Sequence, residues 1–180
     1  MVNSGNLKSY LHLHVLVLIW GFTAIVGLLV TVSPVVLVFY RTILSAIALA
    51  ILLWVRKTPF TNLTKAQVLK MLLIGSILGA HWILFFASAR VSTASVCLAG
   101  MATTSLWTSL IEPIAYRRAV KPLEVGLGLL AFSGLYVVFK FEFDHALGLA
   151  LAVASAILAA VFTVANSKFI KKHSLLFMKW

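Results

Sequence analysis

The chain has 180 residues, 62% of them hydrophobic and 11% charged, with a mean hydropathy of +1.08 and a formal net charge of +11. Soluble domains lie near about 45–50% apolar and about 25% charged, so an ordinary soluble domain is excluded and a bilayer is indicated. The positive charge does not indicate nucleic acid, because the basic residues stand in short clusters between apolar runs and form no basic face that could track a phosphate backbone.

Six apolar runs are long enough to span: Leu11–Val30, Pro34–Val55, Leu69–Ala89, Thr93–Tyr116, Leu123–Phe139 and Ala146–Ala165. A helical crossing needs about 20 apolar residues, and a helix satisfies its own backbone hydrogen bonds in lipid. Barrel strands alternate over about ten residues, whereas these runs are continuously apolar. The expected fold class is therefore all-α and polytopic, with six transmembrane helices.

The first span follows Lys8 and ends without a small-residue cleavage site, so it reads as a retained helix. His12 and His14 lie two apart, share no helix face and read as interfacial. "TVSP" makes a tight turn, with Pro34 opening the second helix where its missing N–H is harmless. Arg41 lies inside that second run. A charge there costs roughly 2.5–3.5 kcal/mol on insertion scales. At about 1.5 Å per residue it sits roughly 10 Å below the start of the helix. Two readings stand. The side chain snorkels back to the interface, or it holds a fixed positive charge in a polar cavity that meets a carboxylate, phosphate or other anion.

The segment "RKTPFTNLTKAQ" precedes span three, with Thr64 and Gln67 at the positions of a reciprocal cap. His81 lies roughly 13 Å below the far end of that span, in the same layer as Arg41. Gly75, Gly79 and Ala80 read as places of close helix approach, and Trp82, Phe85 and Phe86 as an aromatic lining for a small organic ligand. His81 either joins that lining as a ligand group or bonds a backbone carbonyl across a helix contact.

In span four Thr104, Thr108 and Glu112 recur at every fourth position, with Ser105 and Ser109 beside them, on one helical face. That face should look into the bundle, where its hydroxyls hold helices together or line a substrate path. Glu112 precedes Pro113, which frees the Ser109 carbonyl. It is a candidate proton or cation site, and alternatively an interfacial partner of Arg117 or Arg118. Cys97 is alone, so no intramolecular disulfide forms. Span six carries a ladder of Ala152, Ala156 and Ala160 that suits central packing. Ser155, Thr163 and Asn166 give it a sparse polar face.

With a cytoplasmic N-terminus, Lys8, Arg56, Lys57, Lys65, Lys70, Arg117, Arg118, Lys121, Lys168, Lys171, Lys172 and Lys179 fall inside, and Arg90 and Lys140 outside. Twelve against two is a strong positive-inside pattern. It sets a multi-pass protein of the cytoplasmic membrane, with the end of span six on the cytoplasmic side. Phe22-Thr23 in span one and Phe162-Thr163 in span six stand 140 residues, or five spans, apart. An odd offset inverts a second copy in the membrane, an arrangement common in transporters. No paired-carboxylate site, metal-spaced cluster, nucleophile motif or phosphate loop is present, so no enzyme, cofactor or metal is expected.

Four stretches in order carry a resemblance: "WGF" in span one, "SPVVLVFYRTILSAIALAIL" in span two, "GAHWILFFASARVSTASV" across spans three and four, and "EPIAYRRAVKPLEVGLGLLAFSGLYVVF" through span five. Together they resemble the EamA family of the drug/metabolite transporter superfamily over nearly the whole chain. The resemblance implies a carrier of small metabolites, built as two inverted five-helix repeats around a central cavity used in alternating access. Residues 11–140 would then form the first repeat and 146–180 the start of the second. It also gives weight to the Tyr40-Arg41 pair. Many members carry a Gly-Glu pair before the fifth helix, where this chain has Tyr116, Arg117 and Arg118, so that acidic role is not transferred to Glu112.

The expected function is a permease for small organic metabolites, with an anionic group on the substrate. Arg41, His81, Trp82, Thr104 and Thr108 are the candidate substrate residues, and Glu112 the candidate coupling residue. The alternative is a non-transporting membrane fragment whose polar residues serve packing. The ending "SLLFMKW" resembles the start of a seventh helix, so a truncated or frameshifted carrier is expected, working alone only as a homodimer.

Overall fold

The computed structural model describes residues 4–57, 63–141 and 143–172. The described residues form seven α-helices and no strand: α1 (Ser4–Leu29), α2 (Pro34–Val55), α3 (Lys65–Val91), α4 (Ala94–Met101), α5 (Thr104–Tyr116), α6 (Pro122–Phe141) and α7 (Ala146–Lys172). A 3-10 turn at Phe143–His145 precedes α7. Five stretches are long and apolar enough to cross a bilayer, with α4 and α5 together forming one, and α6 adds a shorter apolar helix. Lys179 and "SLLFMKW" lie outside the described residues, as does the side chain of Lys140.

The helix starts follow local chemistry. Pro34 occupies the first turn of α2, capped by Ser33, whose Oγ accepts from the Val36 N–H at 3.4 Å. Thr64 caps α3 reciprocally: its Oγ1 accepts from the Gln67 N–H at 3.3 Å, and the Gln67 side chain accepts from the Thr64 N–H at 2.8 Å. Hydropathy marks the bilayer and not the helix, so α1 begins at Ser4 rather than Leu11 and α7 runs on to Lys172 rather than Ala165.

Helix α7 is the centre of the bundle, packing most broadly on α3 and then on α5 and α4. Its alanine ladder explains this: Ala152, Ala156 and Ala160 are all fully buried. A side chain at Gly100 of α4 would collide with the Cβ of Ala152, and one at Gly148 with Ser92. Close approach is thus made by Gly100, Gly128 and Gly148, together with Gly27 against Phe86. Gly75 and Gly79 were expected to serve this purpose and do not, since a Cβ at either meets nothing within 4 Å. Helices α3 and α7 run antiparallel, tied by Ser88 Oγ donating to the Gly148 carbonyl at 2.7 Å and by a second link at His81 and Ser155.

Large apolar residues cover the outside: Trp54 is 81% exposed and Leu29 77%. Surface of that kind belongs against lipid. At one end of the bundle Arg90 donates to the Val30 carbonyl at 2.7 Å, fastening α3 to the end of α1. At the other, Lys168 donates to the Ala115 carbonyl at 2.8 Å, and the Lys171 ammonium lies 4.7 Å from the Tyr116 ring centre.

Candidate functional site

A cavity of about 780 Å³ opens between α1, α2, α3, the α4–α5 junction and α7. Aromatic side chains wall it, namely Trp20 of α1, Trp82 and Phe85 of α3, and Phe162 of α7. Arg41 enters from α2 and His81 from α3, so the two residues placed in one layer by their depth do line one cavity.

The Arg41 guanidinium lies over the Trp82 ring, 4.3 Å from its centre, with Phe86 at 5.9 Å. No carboxylate pairs with it among the described residues: Glu112 and Glu124 are bound to Arg118 at 3.2 and 3.3 Å, and Glu124 also to Lys121 at 2.9 Å. Ring faces attract a cation but do not neutralise it.

His81 is anchored to α7. Its Nδ1 lies 2.9 Å from the Ser155 carbonyl and 2.8 Å from Ser155 Oγ, while Oγ donates to the His81 carbonyl at 2.9 Å. The pattern assigns the proton to Nδ1, donated to the Ser155 carbonyl, and leaves the Nε2 lone pair unused. Among the described residues no buried side-chain nitrogen or oxygen lacks a partner, so this unpartnered Nε2 is not buried. The carbonyl bond across a helix contact is therefore present, made by one ring nitrogen, while the other lies open. Removing the fully buried Ser155 hydroxyl loosens this link. Ser155→Ala should lower stability by about 1 kcal/mol, read as a fall of roughly 2–4 °C in the melting midpoint of the purified protein.

Span four is broken at Ala102-Thr103, where α4 ends and α5 begins. Thr103 is fully buried and donates its Oγ1 to the Gly100 carbonyl at 2.7 Å, and Trp107 Nε1 donates to that same Oγ1 at 3.3 Å. Met101, Ala102 and Thr104 on either side of the break line the cavity. Helix breaks inside a membrane occur where backbone is buried or faces a cavity.

The hydroxyl face of span four divides. Thr104 lines the cavity, whereas Thr108 does not, because it lies one turn further along α5 and donates its Oγ1 to the Thr104 carbonyl at 2.8 Å. Ser109 likewise bonds back, to the Leu106 carbonyl at 2.8 Å. These hydroxyls do not join helices; Ser88 and Ser155 do. Glu112 is paired with Arg118 near the end of α5, as its interfacial reading expected, and is not among the cavity residues. The sequence reading missed Trp20, Thr23 and Phe162 as wall residues and gave Thr163 only a place on a sparse polar face. The repeated Phe-Thr pair was the available signal, since Thr23 and Thr163 both reach the cavity.

Residues 7–140 match the model of the EamA-like transporter family. The chain belongs to that family. Neither the curated proteins nor the solved structures compared with it gave a match. The EamA-like stretch covers α1 to nearly the end of α6 and contains Arg41, His81, Trp82 and Thr104, while Phe162 and Thr163 come from α7 beyond it. An EamA-like chain with these apolar helices is a multi-pass membrane protein of the transporter type.

Proposed function

We propose that the protein is a secondary transporter of small organic metabolites that works by alternating access, with the α1–α3–α7 cavity as its substrate site. The observation that carries this reading is Arg41: a guanidinium in an aromatic-walled cavity, without a carboxylate partner among the described residues. Such a charge is supported when a substrate anion completes it. Arg41 takes the anionic group, His81 Nε2 accepts from a hydroxyl or N–H, Trp82 and its aromatic neighbours cover the apolar body, and Thr104 closes the site beside the helix break.

The repeat division follows the same proposal. Residues 11–140 act as the first five-helix repeat and α7 as the first helix of an inverted second one, so that Thr23 and Thr163 are equivalent positions facing one substrate. The clustering of Lys168 and Lys171 with the end of α5 supports an orientation in the cytoplasmic membrane with this end inside.

The test is counterflow of labelled organic acids in proteoliposomes. Thr163 is exposed and lines the cavity, so Thr163→Trp fills the site without overpacking the core. Uptake of at least one acid, abolished by Thr163→Trp at unchanged melting, is the expected result. Uptake indifferent to the plug places the pathway elsewhere, and no uptake of any acid leaves the polar residues with packing alone.

A further inference from the structure

A second cavity, of about 350 Å³, lies between α3 and α7 at the end of the bundle remote from Arg90. Lys70, Lys168 and Lys172 line it, over a floor that includes Leu73, Ala165 and Phe169. Helix α3 leads away from this end and α7 returns to it. Leu73 is therefore one turn deeper than Lys70, and Ala165 one turn deeper than Lys168. On both helices charge gives way to hydrocarbon in the same direction, along the bundle axis.

The charges here lack acidic partners among the described residues. Glu112 and Glu124 are engaged by Arg118 and Lys121, and Asp144 sits at the opposite end of α7. Lys168 uses one donor on the Ala115 carbonyl and keeps two donors and its charge. The groove is thus cationic at its mouth and apolar inward, where the helices enter the bilayer. A molecule with a negative head group and hydrocarbon tails has the complementary order. Basic pockets between membrane helices bind such head groups.

We propose that this groove binds the head group of an anionic phospholipid in the adjoining leaflet, its glycerol and acyl chains running over Leu73 and Ala165. The site is separate from the Arg41 cavity and does not rest on the transport reading. Holding α3 to α7 at this end, the lipid braces the seam on which the bundle is built.

The experiment is native mass spectrometry of the purified chain in neutral detergent, titrated with phosphatidylglycerol or phosphatidylcholine. The expected result is one retained phosphatidylglycerol, with phosphatidylcholine held more weakly. Lys70→Gln with Lys172→Gln leaves the Lys168–Ala115 bond intact and should weaken retention roughly fivefold for each lysine. Lys70→Arg with Lys172→Arg should restore it, and melting in lipid-free detergent checks that both variants fold. A decoy pair, Arg56→Gln with Lys57→Gln, removes the same charge away from the groove and should change nothing. Equal retention of the two lipids, or an equal loss in the decoy, overturns the proposal. Displacement of the lipid by millimolar inorganic phosphate also overturns it, in favour of a soluble anion.

Discussion

Arg41→Ala will abolish uptake in proteoliposomes and leave a folded protein in the membrane. The fold should tolerate the change because Arg41 makes no hydrogen bond or ion pair among the described residues and is held by the faces of Trp82 and Phe86. Losing that stacking costs about 0.5–2 kcal/mol. Removing the charged partner of a desolvated anion costs roughly 2–5 kcal/mol in binding, a loss of about 30-fold or more. Arg41→Lys should recover part of the activity, since an ammonium keeps the charge but loses the planar stack and the forked donors. Initial uptake rates beside melting curves separate the two effects. Retained uptake in Arg41→Ala would show that the guanidinium only snorkels.

Ala152→Leu should cause the largest loss of stability of any single change proposed for this chain. Ala152 is fully buried, and its Cβ occupies the space that a side chain on Gly100 would need. Overpacking a tight core costs about 1–3 kcal/mol, and here the opposing surface is the backbone of α4, which cannot rotate aside. The effect should sit at the upper end of that range, seen as loss of a monodisperse peak and a lowered melting midpoint. Gly100→Ala should be milder and should be rescued by Ala152→Gly in the double variant, because the pair exchanges one methyl across the same contact. Leu49→Ala, on the exposed flank of α2, is the control that should melt as the parent does. Absence of rescue would mean that α4 and α7 do not meet at this point.

Much of the fold was legible because the bilayer imposes one rule, length of apolar run, on every element. Pro34 and the Thr64–Gln67 cap fixed two starts to the residue. The alanine ladder marked α7 as central, since small residues have little other reason to repeat at that spacing. The depth of Arg41 and His81 put them in one layer. What was not legible is azimuth, the direction in which each helix faces. Gly75 and Gly79 meet the small-residue rule but face open space, and Gly100 and Gly148 do the work instead. Thr108 shares a face with Thr104 yet lies beyond the cavity. The break at Ala102-Thr103 was hidden because both halves of span four are apolar enough to read as one helix. Gly100 followed closely by Thr103, Thr104 and Ser105 was the signal, since those hydroxyls compete for backbone carbonyls.

The helix that carries Arg41 is also the one with the least anchorage. Val38 is the only buried residue of α2 among the described residues, and α2 packs mainly against α3. His81, by contrast, is pinned to the best-packed seam through Ser155. A molecule touching both groups would bridge a loosely tethered rod and a fixed wall, so occupancy and the angle of α2 become a single variable. On the proposed substrate site, the expected behaviour is a spread of α2 positions in the empty protein and a narrow band in the loaded one. Distance distributions between spin labels on α2 and α7 should therefore sharpen as substrate is added.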